Sequence, residues 1–256
     1  MKRLFFLFFV ACSAGADDDH VRAPFITTPG SVVERMLELA GTQSSDVVMD
    51  LGSGDGRIVI AAAQKFGAHG VGIELDHGLV EESRRNAQLA KVAERVSFVQ
   101  GDVLTADLSS ASVVTLYLLP GLIGKLQPRF IYELRPGTRI VAHAFGMAGW
   151  KPDRTEILRI KEPHPGQGPE SKLYLWVVPA EVRGLWRGGG REVRIEQNYQ
   201  QIDVEGAEGA RLSGREISWR SRDGSFTARV EGDRMTGELV APEGRKHALV
   251  LQRLRP

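Results

Sequence analysis

Three acidic residues and one cluster of glycines carry the chemistry that the sequence offers. The run Asp50-Leu51-Gly52-Ser53-Gly54-Asp55-Gly56 follows a short apolar segment and precedes a helical one. Glycine at such a turn lets the backbone bend sharply and approach a ligand where a Cβ would collide. The spacing is G-x-G-x-G; the third glycine of the dinucleotide pattern G-x-G-x-x-G would fall on Arg57. Asp50 lies two residues before the first glycine. Its carboxylate would repel a pyrophosphate and attract the cationic end of an amino acid. Glu74 stands 22 residues after Gly52, at the end of a second strand-like segment. In a doubly wound sheet an acid there reaches a ribose and accepts from its hydroxyls. Asp102, in Gln100-Gly101-Asp102-Val103, follows a third such segment and can accept from the amino group of an adenine.

Each acid alone could be a solvated loop carboxylate or a helix cap, and Asp55 is read as the cap of the helix that follows. Together, three successive strand ends suit a ligand with an amine, a ribose and an adenine but no phosphate. That ligand is S-adenosylmethionine. The cofactor-binding candidates are Thr28, Asp50, Gly52, Ser53, Gly54, Gly56, Glu74, Leu75, Asp102 and Val103. A nucleotide-sugar or NAD enzyme is a competing reading, opposed by Asp50 and by Arg57 in the third-glycine place.

The elements that must hold these residues follow from hydrophobic period and turn signals. Ser31-Val32-Val33-Glu34 reads as a capping box opening a helix that stops at Gly41. Strands are expected at 46–50, 70–75, 96–99, 113–119 and 138–145. Helices are expected at 57–66, 77–93 and 120–134, the last interrupted by Pro128. Alternating strands and helices imply parallel βαβ units, and apolar runs without alternation imply strands covered on both faces. Segments 157–160 and 173–178 have no helix between them and should form an antiparallel hairpin. Beyond Pro179 helical period is lost. Strands at 192–202, 215–220, 226–230, 234–239 and 247–251, punctuated by glycines, predict a small antiparallel β module. Residues 186–190, Trp-Arg-Gly-Gly-Gly, read as the linker. The expected division is a signal peptide at 1–16, an arm at 17–30, an α/β domain at 31–180 and the β module at 186–256.

Composition narrows the function classes. The chain has 256 residues, 33 Lys+Arg against 32 Asp+Glu, and one cysteine. Apolar residues at 42% and charged ones at 25% fit a packed core and exclude a mostly disordered chain. A formal charge of +1 excludes a globally basic, phosphate-held protein, so no nucleic-acid partner is expected. One cysteine allows no internal disulfide, and the six histidines show no metal-ligand spacing. Lys2-Arg3, an apolar run at 4–11 and Ala14-Gly15-Ala16 outline a secretory signal cut after Ala16. Lipoprotein processing at Cys12 and a retained buried strand are the alternatives. The run at 4–12 is about half of the roughly 20 residues that span a bilayer, so no membrane span is expected after signal removal.

Residues 50–57 resemble motif I of class I S-adenosylmethionine-dependent methyltransferases. Within them, the chain is similar to the lysine methyltransferase family that modifies the c subunit of ATP synthase and the adenine nucleotide translocase. The resemblance covers about 24–152. It rests on Pro24-Phe25-Ile26-Thr27-Thr28-Pro29, on the glycine run with Arg57, on Gly70-Val71-Gly72-Ile73-Glu74-Leu75, and on the segment from Leu116 to Trp150. It implies a Rossmann-like, doubly wound sheet of seven strands closed by an antiparallel hairpin. It also implies N-methylation of a protein lysine. The signal-like start and the β module are departures from the mitochondrial relatives. The signal-like start also motivates an alternative, a non-catalytic exported binding protein on the same fold.

Methyl transfer from a sulfonium is an in-line displacement, served by alignment and exclusion of water. The amine must first lose its proton. Many amine methyltransferases carry an Asn/Asp-Pro-Pro-Tyr element after the fourth strand. Here the place holds Leu116-Tyr117-Leu118-Leu119-Pro120. Adenine or glutamine N-methylation is therefore not expected. Tyr117 and Pro120 are candidates for the rim around the methyl group, and His143 for taking the lysine proton or binding substrate. Tyr117 could instead be a core aromatic and His143 a hydrogen-bonded structural residue. Phe25, Thr28, Phe145 and Trp150 are candidates for an apolar access channel.

Overall fold

The computed structural model of the protein describes residues 26–160 and 168–254. The signal-like segment, Cys12, Pro24, Phe25 and His164 lie outside the described residues. Two sheets account for the strands. The first contains Val47–Leu51 (β1), His69–Glu74 (β2), Val96–Gln100 (β3), Val113–Leu116 (β4), Arg139–His143 (β5), Arg154–Arg159 (β6) and Glu170–Val177 (β7). Their order is β3-β2-β1-β4-β5-β7-β6. The first five strands pair in parallel, and β6 and β7 form the expected antiparallel hairpin beside β5. The strand order reverses between β1 and β4, where an open α/β sheet forms its ligand crevice.

Helices Gly30–Leu39 (α1), Arg57–Phe66 (α2), His77–Leu89 (α3) and Pro120–Glu133 (α4) cover both faces. Because strand side chains alternate in direction, neighbouring residues feed opposite cores. Val48 and Val113 pack with α1 and α2, while Met49, Leu51, Val114 and Leu116 pack with α4. The central strands β1, β4 and β5 are buried along almost their whole length, which explains their lack of polar alternation.

Local differences from the sequence reading have physical causes. The capping box does not form: Pro29 is the N-cap of α1 and no side chain caps it. The Pro29 carbonyl accepts from Val32 and Val33 at 2.9 and 3.0 Å, and Glu34 pairs with Lys65 instead. The third helix stops at Leu89, short of 93, since the chain turns at Lys91 with φ +59°. The fourth strand stops at Leu116, because Leu119 is already the N-cap of α4. Pro128 sits inside α4 without ending it.

The second sheet has eight strands: Gly184–Gly188 (β8), Arg191–Asn198 (β9), Gln201–Val204 (β10), Ala207–Ser213 (β11), Glu216–Ser221 (β12), Gly224–Glu231 (β13), Arg234–Val240 (β14) and Lys246–Leu254 (β15). Each pairs antiparallel with its sequence neighbour, except that β10 and β11 lie side by side without a ladder. The last strand returns to the first, β15 on β8. The result is an up-and-down barrel with one unladdered seam. Along β13, Phe226, Ala228 and Val230 point inward and alternate with exposed residues.

The expected linker at 186–190 is instead part of this barrel. Trp186 is fully buried on β8, its indole donating to the Val182 carbonyl at 2.8 Å. Gly188 lacks a side chain because a Cβ there would lie 1.9 Å from the Val250 carbonyl of β15. Gly188 thus serves close strand packing, while Gly189 and Gly190, with φ +57° and +72°, make the turn from β8 to β9. Likewise the segment expected as one strand at 192–202 is two, broken at Tyr199-Gln200. Trp186→Ala should cost about 3–5 kcal/mol of stability by cavity formation. Chemical denaturation of the full chain checks this; a loss under about 1 kcal/mol would contradict the assigned burial.

Candidate active site

The glycine turn joins β1 to α2 at the point where strand order reverses. The amides of Gly52 and Ser53 both donate to the Ile73 carbonyl of β2 at 2.9 Å. Gly52, Gly54 and Gly56 all have positive φ, +80°, +54° and +81°, which side chains resist. Glu74 clamps the turn from β2: Oε2 accepts from the Gly54 amide at 2.9 Å and Oε1 from the Asp76 amide at 3.0 Å. On the third strand end, Asp102 Oδ1 accepts from the Leu104 amide at 2.8 Å. Glu74 and Asp102 therefore also hold their own loops in shape.

Asp50 differs from these two. It is 2% exposed, and its Oδ1 accepts from the Thr115 hydroxyl of β4 at 2.7 Å. Burial pushes its carboxyl up to about 7, opposed by the Thr115 bond and helped by the charges of Glu74 and Asp55.

These groups open onto one cavity of about 650 Å³, within the usual range for a small-molecule site. Thr28, Asp50, Gly52, Ser53, Gly54, Glu74, Leu75, Asp102, Val103 and Tyr117 all line it. Gly56, Pro120 and His143 do not. Gly56 is glycine because a Cβ would meet Phe98 at 2.6 Å and Ser83 at 2.8 Å, so its constraint is packing. Pro120 opens α4 and leaves the lining to its neighbours Leu119 and Gly121. His143 is 1% exposed behind Tyr117, with ring centroids 4.2 Å apart and Nε2 2.8 Å from the Ser171 hydroxyl. Burial pushes its imidazole down to about 4, so it is neutral near pH 7 and out of reach of a substrate amine. Of the channel candidates, Thr28 lines the cavity; Trp150 is core and Phe145 lies partly exposed outside it. Asp55, expected as a helix cap, accepts from the Arg57 amide at 3.3 Å but leaves the N-cap to Gly56.

Several lining residues escaped the sequence reading. Arg57 Nε donates to Asp55 at 2.9 Å and Nη1 to the Thr28 carbonyl at 2.9 Å, pinning the arm before α1 over the cavity. The sequence showed Arg57 only as a missing glycine. Leu118, Leu119, Gly121, Leu122 and Lys125 also line the cavity, and the i, i+1, i+4 spacing of the last three on α4 was the available signal. No cluster of three or more metal-ligating residues occurs among the described residues.

The profile of the ANTKMT methyltransferase domain matches residues 50–154. A protein-lysine N-methyltransferase of Saccharolobus islandicus is 38% identical over 156 residues, 60% of this chain and 93% of that protein. The chain belongs to this family of S-adenosylmethionine-dependent methyltransferases. A lysine N-methyltransferase of Rattus norvegicus, named for the c subunit of ATP synthase, is 35% identical over 52% of this chain, which spans 60% of the rat protein's length. A crystal structure described as an RNA methyltransferase from Salinibacter ruber, in complex with S-adenosyl-L-homocysteine, is 50% identical with a TM-score of 0.56. That match covers 61% of this chain and 96% of the other.

S-adenosylmethionine is the cofactor of this methyltransferase family, and the cavity suits it. Asp50, Asp55, Glu74, Asp76 and Asp102 line it against two cations, Arg57 and Lys125. This balance favours an ammonium and a sulfonium and disfavours a pyrophosphate. The raised Asp50 pKa carries a stability consequence. Between about pH 4 and 7 the folded state holds a proton that the unfolded state has lost, so stability from this group falls as pH rises through that window. Asp50→Asn should therefore stabilise the ligand-free protein increasingly from about pH 4 to about pH 8, at about 1.4 kcal/mol per pKa unit. Denaturation midpoints at the two pH values check it; a gain independent of pH would contradict the buried-carboxyl account.

Proposed function

We propose that this methyltransferase transfers the methyl group of S-adenosylmethionine to the side-chain amine of a protein lysine. The observation that carries the reading is one cavity that gathers the strand-end acids together with an apolar stretch at 117–119. Asp50, Glu74 and Asp102, which line the cavity, would hold the amino-acid, ribose and adenine parts of the cofactor. Ile26, Tyr117, Leu118 and Leu119 supply apolar lining, and the acceptor enters beside them. When bound, the cofactor supplies a methyl group on a positively charged sulfur. The apolar rim disfavours the ammonium form of an entering lysine, so its proton passes to water before attack. Tyr117, whose hydroxyl is held protonated by burial, borders the path of the amine. The in-line displacement then forms the N–C bond as the C–S bond breaks.

Relatives named as protein-lysine methyltransferases support this acceptor class. An RNA acceptor would bring phosphates toward a cavity where five carboxylates outnumber two cations, which the charge balance opposes. The test combines binding and transfer. Glu74→Ala should weaken S-adenosylhomocysteine binding at least tenfold by calorimetry, as expected for a lost charge-assisted hydrogen bond of about 1.5–3 kcal/mol. With tritiated donor and a mixed cell extract, wild-type protein should place label in methyl-lysine after acid hydrolysis. Label confined to ribonuclease-sensitive material would overturn the acceptor assignment.

A further inference from the structure

We propose that the turn between β9 and β10 positions the acceptor wall of the catalytic cavity, with Tyr199 as the positioning residue. The inference rests on the function just proposed. The match to the Salinibacter ruber enzyme takes in 96% of that chain but 61% of this one, so the barrel is an addition to the methyltransferase unit. An addition could simply be appended. This one instead inserts a side chain. The Tyr199 ring packs against the core of the first sheet and stacks on Trp150 at 4.9 Å, with the planes 5° apart. Its hydroxyl accepts from Gln127 Nε2 of α4 at 3.0 Å, and the same amide donates to the Ala148 carbonyl at 2.8 Å. The neighbouring Gln200 takes the Trp150 indole hydrogen bond at 2.8 Å and donates to the Lys151 carbonyl at 2.6 Å.

Those contacts fall on two elements. One is α4, whose first turns give Gly121, Leu122 and Lys125 to the cavity wall. The other is the loop from Ala144 to Lys151, which leaves β5 directly after His143, the residue that backs Tyr117. These bonds lie away from β1, β2 and the glycine run, which hold the cofactor side. The backbone is informative as well. Tyr199 has φ +54°, a conformation bulky residues avoid, and Ala144 at the start of the loop has φ +66°. Glycine would suit the turn better, so the ring is kept there against a local backbone preference.

The expected result is a loss confined to the acceptor side. Tyr199→Gly eases the backbone and removes the ring. It should speed amide hydrogen exchange at 144–150 and 120–126 at least tenfold, with 50–56 unchanged. Its affinity for S-adenosylhomocysteine should stay within twofold of wild type. Methyl transfer to extract proteins should fall at least tenfold, the KM for S-adenosylmethionine being unchanged. Tyr199→Phe keeps the stacked ring and should recover most of the transfer. Unchanged exchange at 144–150, or an equal loss of cofactor affinity, would overturn the proposal. A wild-type protein that methylates no protein would sink the lysine reading, while the exchange data would still decide the role of the turn.

Discussion

A carboxyl group shut away from water at the reversal of strand order is the constraint around which this structure is arranged. Asp50 must face a ligand at the end of a fully buried strand, and its hydrogen bond comes from Thr115 on the adjoining strand. Such a group is costly when ionised and unpaired. It becomes favourable when an ammonium arrives in a site of low dielectric. The glycine turn follows from this, since the backbone must leave β1 at once to keep space beside Asp50. Glu74 follows in turn, because the positive-φ turn needs an acceptor for the Gly54 amide. The site therefore trades stability of the empty protein for selectivity toward a cationic cofactor.

The division of labour across the sheet extends that logic. Strands β1 to β3 deliver acids to the cavity, while the segment after β4 and the first turns of α4 deliver apolar side chains to it. The cofactor side is braced by bonds from Gly54 to Glu74, Thr115 to Asp50 and Arg57 to Thr28. The apolar wall has few polar groups with which to brace itself, and the barrel's Tyr199 and Gln200 supply them from outside. Trp150, its indole buried, joins the two units; its carbonyl also accepts from the Trp176 indole at 2.9 Å.

Legibility in the sequence tracked how local the cause was. The glycine turn, the acids at three strand ends and the antiparallel hairpin were readable because each depends on backbone geometry or period. Ser31 misled because a capping box competes with the carbonyl of Pro29 two residues earlier, and sequence alone does not rank the two. His143 looked catalytic at a strand end, yet the alternation along β5 and the packing of β7 bury it behind Tyr117. Of the three barrel strands missed, two have opposite reasons. Glycines at 188–190 signalled a linker where close strand approach and a tight turn required them, and Tyr199 gave no turn signal where glycine or asparagine would have. Arg57 reaches back to Thr28, a contact across 29 positions that no local pattern announces.

Cofactor binding should take a proton from Asp50, whose carboxylate then pairs with the amino group of the cofactor. Calorimetric titration of S-adenosylhomocysteine in two buffers of different ionisation enthalpy measures this directly. With a free-state pKa of about 7, close to one proton should be released per ligand bound at about pH 6 and close to none at about pH 8. Binding without proton release at the lower pH would contradict the account.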